Sequence, residues 1–277
     1  MYHTTADQVA IYYEVHGQSG SPLLMLTGMG GAIGDWLPEQ IEQLSRQHQV
    51  ILIDNRGAGQ SDKPTTPYTM TQFAADTVGV LVDLQIEQAH ILGGSLGGMI
   101  AQHVAVNAPE RVSSLILCST TAVAPGHPAF VPPTPEVFRQ LTKPPSGNRV
   151  QDIEDGWQLC FTPAFIEENA ELFNRLRENA LAYPDSPPHA LKLQFESVIQ
   201  SHNLYAQVSQ LRCPTLVQVG TEDILLPAEN SRTLARLIPG ARFIEYPGCG
   251  HRFMEEGGEQ VINDILAFLA EVDRGKG

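Results

Sequence analysis

The chain has 277 residues, 42% of them apolar, which is enough to bury the core of one large domain and speaks against wholesale disorder. Its formal net charge of −14 argues against nucleic acid or an anionic membrane surface as a partner, since both require a positive footprint. The four cysteines, Cys118, Cys160, Cys213 and Cys249, are widely spaced without a C-x-x-C pair, and "MYHTTADQVA" has neither the basic start nor the apolar run of an export signal. Free thiols in a reducing cytoplasm are the simplest expectation. The uncharged stretch of residues 88–109 is broken by glycines, glutamines and histidines and makes no membrane span.

In chain order, "QVAIYYEVHG" predicts an N-terminal strand that ends in a glycine turn. "PLLMLTG" and "QVILID" read as short strands buried on both faces, separated by the helix "WLPEQIEQLSRQ". The loop "NRGAGQSDKPTTP" leads to Thr71, which is expected to cap a helix from Gln72 to about Leu84. "AHILGG" is another apolar strand, "SLGGMIAQHVAVNAP" a helix stopped by Pro109, and "VSSLILCST" a strand. Such alternation means βαβ units and a mainly parallel sheet.

The rhythm breaks between residues 121 and 211, where a proline-rich stretch precedes helices around Phe165–Ala182 and His189–Ile199. It resumes with "PTLVQVG", "AENSRTLARLI", "ARFIEY" and "EQVINDILAFLAEV". Ninety residues with helical periodicity are too many for a plain loop. The expectation is an α/β core of residues 1–121 and 212–277, with residues 122–211 a helical cap over the carboxyl ends of the strands, where open α/β sheets bind ligands.

Within "AHILGGSLGGM", Ser95 stands between a buried strand and a helix start, flanked by Gly93 and Gly97. In that context G-x-S-x-G describes a sharp turn that lifts a nucleophilic hydroxyl clear of the sheet. A phosphate loop is the competing reading, but no lysine follows and the spacing fails G-x-G-x-x-G. A serine needs a base. Of nine histidines, His251 in "YPGCGHRFMEE" lies in a glycine-bounded loop after the last strand, at the correct sheet end. The carboxylate that orients it is expected from "VQVGTEDILLP", with Asp223 preferred and Glu222 the solvated alternative. Two backbone amides complete the set: Leu96 from the turn itself, and Met29 from "LTGMGGAIGDW", whose glycines otherwise make a plain turn. Candidate pocket residues are Arg56, Phe130, Trp157 and Phe161. For Arg56 the competing role is anchoring its own loop, and for the aromatics it is core packing.

The pieces "LTGMGG", "DNRGAGQSD", "GGSLGGM", "APERVSSLIL", "GTEDILLP" and "GCGH" stand in an order and spacing that resemble the α/β-hydrolase-fold serine hydrolases over nearly the whole chain. That resemblance implies Ser95 as nucleophile, Asp223 and His251 as its partners, the Met29 and Leu96 amides as oxyanion hole, and no metal or cofactor. Many relatives carry His-Gly where this chain has Thr27-Gly28. Those similar to 3-oxoadipate enol-lactonases lack that histidine too, and "SLGGM" and "FTPAF" look close to them. The expected function is a carboxylesterase-type serine hydrolase acting on a small ester or lactone. Lactonase, carbon–carbon bond hydrolase, cofactor-free perhydrolase and a non-catalytic ligand receptor remain open alternatives.

Overall fold

The computed structural model describes residues 1–275. Eight strands form one sheet: β1 (Tyr2–Thr4), β2 (Ala10–His16), β3 (Pro22–Leu26), β4 (Gln49–Ile53), β5 (Ala89–Gly94), β6 (Val112–Cys118), β7 (Thr215–Gly220) and β8 (Arg242–Tyr246). Their spatial order is β1-β2-β4-β3-β5-β6-β7-β8. β2 runs antiparallel to β1 and β4, and every pairing from β4 to β8 is parallel. The parallel strands are the continuous apolar runs of the sequence because both of their faces are covered. All seven residues of β6 and all six of β7 are buried.

Alternate side chains of each strand feed two cores. Leu24, Leu26, Ile51 and Ile91 face one side, with Phe73 from α2 (Met70–Asp83), Ile100 from α3 (Leu96–Asn107) and Leu234 from α9 (Glu229–Leu237). Leu23, Met25, Leu52 and Leu92 face the other, with Leu44 from α1 (Pro38–Ser45) and Ile265 and Leu269 from α11 (Glu259–Arg274). Each such side chain contributes about 1.5–3 kcal/mol through burial, so the period-2 pattern fixes which strand face meets which helix layer.

Between β6 and β7 lie five helices: α4 (Pro135–Leu141), α5 (Arg149–Cys160), α6 (Pro163–Glu168), α7 (Ala170–Ala182) and α8 (Pro188–Ser201). Phe161, Phe173 and Leu176 give them a small core of their own, which also takes in Leu37 from the turn before α1. The four-residue α10 (Phe253–Glu256) precedes α11.

Three details differ from the sequence expectations. Thr69, not Thr71, caps α2: its Oγ1 accepts from the Gln72 amide at 3.2 Å, and Gln72 Oε1 accepts from the Thr69 amide at 2.9 Å, a reciprocal capping box. The helix expected over Phe165–Ala182 is interrupted at Asn169, whose Nδ2 donates to the Phe165 carbonyl at 2.9 Å and so ends α6. Finally, α4 and α5 were not anticipated, nor was β1.

Candidate active site

β3 lies between β4 and β5, so the chain connections leave its two sides in opposite directions. That topological switch opens a crevice at the carboxyl ends of the strands. Four segments converge there: the loop after β3, the β5–α3 junction, the loop after β7 and the loop after β8.

Ser95 forms the β5–α3 junction with φ 53° and ψ −118°. A non-glycine residue in this region costs on the order of 1–3 kcal/mol and must be held by its surroundings. Its amide donates to the Cys118 carbonyl at 2.9 Å, and its carbonyl accepts from Thr120 Oγ1 at 2.8 Å. The flanking glycines are sterically required. A Cβ on Gly93 would lie 2.3 Å from the Gly97 backbone, and one on Gly97 would lie 2.2 Å from the Leu26 carbonyl oxygen. The entropy these glycines cost is offset by the close strand–helix approach they permit.

Asp223 and His251 meet across the β7 and β8 loops. His251 Nδ1 lies 2.8 Å from Asp223 Oδ2, and the Asp223 side chain is wholly shielded from solvent. The other carboxylate oxygen accepts from the Leu225 and Leu226 amides at 3.0 and 2.9 Å. Asp223 thus accepts hydrogen bonds through both carboxylate oxygens. Its bond assigns the proton to His251 Nδ1 and leaves Nε2 the acceptor. Glu222 is exposed.

The loop after β3 is closed by Thr27, whose buried hydroxyl donates to the Gly31 carbonyl at 3.0 Å. The Asn55 side chain holds the Thr27 carbonyl at 3.2 Å. A threonine at this point thus ties the loop to itself. Gly28 lies directly over Ser95, since a Cβ there would sit 3.4 Å from the serine Cβ.

Ser95, His251, Met29, Leu96, Phe130 and Phe138 all line a cavity of about 410 Å³. Phe130 and Phe138 come from the insertion, as do Gly156, Leu159 and Phe195. The remaining pocket candidates need correction. Arg56 does not reach the cavity: it is 2% exposed, holds Asp76 with Nε and an Nη at 2.6 and 2.7 Å, and bonds Asp7 at 3.0 and 3.3 Å. Its role is to anchor the loop that carries it. Trp157 turns away to pack edge-on against Phe173, with the Arg177 guanidinium over its ring. Phe161 lies behind the wall, buried between Phe165 and Phe173 and carrying the Arg252 guanidinium on its face at 5.3 Å.

Among the wall residues not read from the sequence are Trp36, Arg252 and Glu255. Arg252 Nε donates to Glu255 at 3.1 Å, and one Nη donates to the Asp35 carbonyl at 2.6 Å. The spacing of Arg252 and Glu255 on one helical turn was the available signal. Among the described residues no group of three or more His, Cys, Asp or Glu is disposed to hold a metal, and no helix is long and apolar enough to cross a membrane.

Residues 21–258 match the family described as the alpha/beta hydrolase fold, and the chain belongs to that family. It is similar to a protein of Azorhizobium caulinodans that bears the provisional name carbamate hydrolase RutD, with 33% identity over 267 residues, 95% of this chain and 96% of the other. It is 30% identical to 3-oxoadipate enol-lactonase 2 of Acinetobacter baylyi over 234 residues, 84% of each chain. Among solved structures, a thermophilic esterase from Thermogutta terrifontis superposes with a TM-score of 0.80 at 26% identity, over 98% of both chains.

Proposed function

We propose that the protein is a serine hydrolase that cleaves an uncharged carboxylic ester through an acyl-enzyme on Ser95. The observation that carries this reading is the 2.8 Å His251–Asp223 pair opening onto the same cavity as the strained Ser95 turn. Ser95 Oγ attacks the ester carbonyl while His251 Nε2 takes its proton. Asp223 stabilises the imidazolium through Nδ1–H and does not itself become protonated. The oxyanion is held by the Met29 and Leu96 amides, each such donor contributing about 2.7–4 kcal/mol to the transition state. His251 then protonates the leaving alcohol, and the acyl-enzyme is hydrolysed by water that the same histidine activates. Residues 122–211 act as the cap, closing an apolar wall over the acyl group.

The charge of the wall favours a neutral substrate over an anionic one. Arg252 is the only lysine or arginine among the lining residues, and Glu255 already pairs it. A substrate carboxylate entering the cavity would meet Asp35 and Glu255 without a free cation, and an unpaired buried charge costs several kcal/mol. A neutral lactone is an internal ester and would follow the same steps. The similarity to an enol-lactonase keeps lactone opening as a second reading, although the enol-lactone of a dicarboxylate retains a free carboxylate and is the anionic case that the charge of this wall disfavours.

Comparing p-nitrophenyl butyrate with mono-p-nitrophenyl glutarate tests the assignment, because the two leaving groups are identical and one acyl chain ends in a carboxylate. The neutral ester is expected to show a kcat/KM on the order of 10²-fold higher, the penalty of a few kcal/mol for an unpaired charge. Equal or faster turnover of the glutarate would overturn the neutral-ester assignment in favour of an anionic lactone or ester.

A further inference from the structure

The loop that carries Met29 is held from outside the core. Gly30, the next residue, adopts φ +71°, and its amide donates to Gln194 Oε1 at 2.8 Å. Its carbonyl accepts from Ser186 Oγ at 3.1 Å. Both partners belong to the insertion, Gln194 on α8 and Ser186 just before it. Gln194 is wholly buried, and its Nε2 donates to the Arg56 carbonyl at 2.8 Å. One side chain therefore spans two core loops, that of Met29 and that of Arg56, using both ends of its amide. Packing reinforces the grip: a Cβ on Gly30 would meet the Leu191 side chain of α8 at 2.5 Å, so that side chain lies against the loop backbone.

From this geometry we infer that Gln194 is a positioning residue for the oxyanion hole, and that the Met29 amide is aimed only while α8 is seated. The inference rests on the reading of Met29 as an oxyanion donor. The Gly30 N–H and the Met29 carbonyl share one peptide plane. On the other side of Met29, the Gly28 carbonyl accepts from the Gly31 amide at 3.2 Å, and Asn55 holds the Thr27 carbonyl. Met29 sits between two pinned peptides. Freeing the Gly30 side leaves its half-buried N–H and the Arg56 carbonyl without these partners, and the loop turns to satisfy them. A misplacement of about 1 Å at such a donor costs on the order of 10²-fold in rate. Substrate binding, which depends on the apolar wall, is little affected. Hydrolysis is thereby tied to closure of the insertion: if α8 lifts, the hole comes apart with it.

The test uses the whole protein carrying Gln194→Met, which conserves size but removes both bonds. Ser186→Ala releases only the Gly30 carbonyl at a half-buried position and serves if Gln194→Met fails to fold. Three readouts are compared: amide exchange at Gly30, kcat and KM for p-nitrophenyl butyrate, and inhibition by an alkyl trifluoromethyl ketone, whose adduct places an oxyanion in the hole. For Gln194→Met, Gly30 exchange is expected to rise at least roughly 100-fold. kcat is expected to fall about 10–100-fold with KM within about two-fold, and affinity for the ketone to fall in parallel. Ser186→Ala should lose roughly three- to ten-fold in kcat. Unchanged Gly30 exchange in Gln194→Met, or faster exchange with kcat and ketone affinity unaltered, would overturn the inference. If the wild type turned over no ester, the functional reading would fall, and the exchange measurement would still decide whether Gln194 holds the loop.

Discussion

Replacing Ser95 with Ala is expected to lower hydrolysis of p-nitrophenyl butyrate by roughly 10⁶-fold, the scale seen when a serine triad loses its nucleophile. The effect should fall on kcat, because the hydroxyl contributes bond formation and little ground-state binding. The fold should be unaffected. The Ser95 backbone is held through its amide by Cys118 and through its carbonyl by Thr120, and neither contact uses the side chain. Far-UV circular dichroism and a urea midpoint matching the wild type would establish this. A loss below about ten-fold would mean that another group attacks the carbonyl, since the amides and the cavity alone leave only residual catalysis of roughly 10³–10⁴ over water.

The second large effect concerns stability. Arg56→Met is expected to destabilise the fold by about 3–5 kcal/mol, the cost of stripping one partner from a buried pair. Arg56 is 2% exposed and Asp76 4%, so the Asp76 carboxylate would be left without its guanidinium inside the protein. Adding Asp76→Leu should recover part of the loss, because no lone charge then remains.

The pH dependence separates the two proteins further. In the wild type, hydrogen bonding from Arg56 holds the Asp7 carboxyl down to about 2. Its folded value lies below its ordinary one, so the stability it contributes is present above about pH 4 and lost as pH falls toward 2. Burial pushes Asp76 upward, opposed in the wild type by Arg56. The net push on Asp76 is upward even with Arg56 in place, and it grows without it, so the mutant's folded state takes up its proton at higher pH than the wild type's and the mutant's deficit shrinks on acidification. Urea titrations at pH 7, 5 and 4 would read this directly. A deficit that stays constant, or grows as pH falls, would contradict the buried-pair assignment.

Much of this architecture can be read from the amino-acid order, for a definite physical reason. β3 to β7 are buried or largely so, which makes them short apolar runs bounded by turns. Ser95, His251 and Asp223 follow three of the strands at the same sheet end. What the order of residues hides is long-range pairing. Arg56 could equally have faced a ligand or an acid, and the choice depends on Asp76, twenty residues away, and on Asp7 at the far N-terminus. Gln194 is an ordinary helical glutamine until the chain brings it to Gly30, 164 residues away. Aromatic content in the insertion shows that a small core exists there. It does not tell which ring faces in: Phe130 and Phe138 reach the cavity, whereas Trp157 and Phe161 pack behind it. α5 escaped notice because its side chains are mostly polar, with Leu159 alone fully buried, so its periodicity is faint. Three-residue β1 is too short to show alternation.

The central claim is a covalent acyl bond to Ser95, and the most direct measurement is peptide mass spectrometry after reaction with an alkyl fluorophosphonate. One adduct is expected, on the peptide containing Ser95, formed at a rate that falls when His251 is replaced by Ala and in step with loss of ester hydrolysis. Labelling at another residue, or full inactivation with Ser95 unmodified, would contradict it.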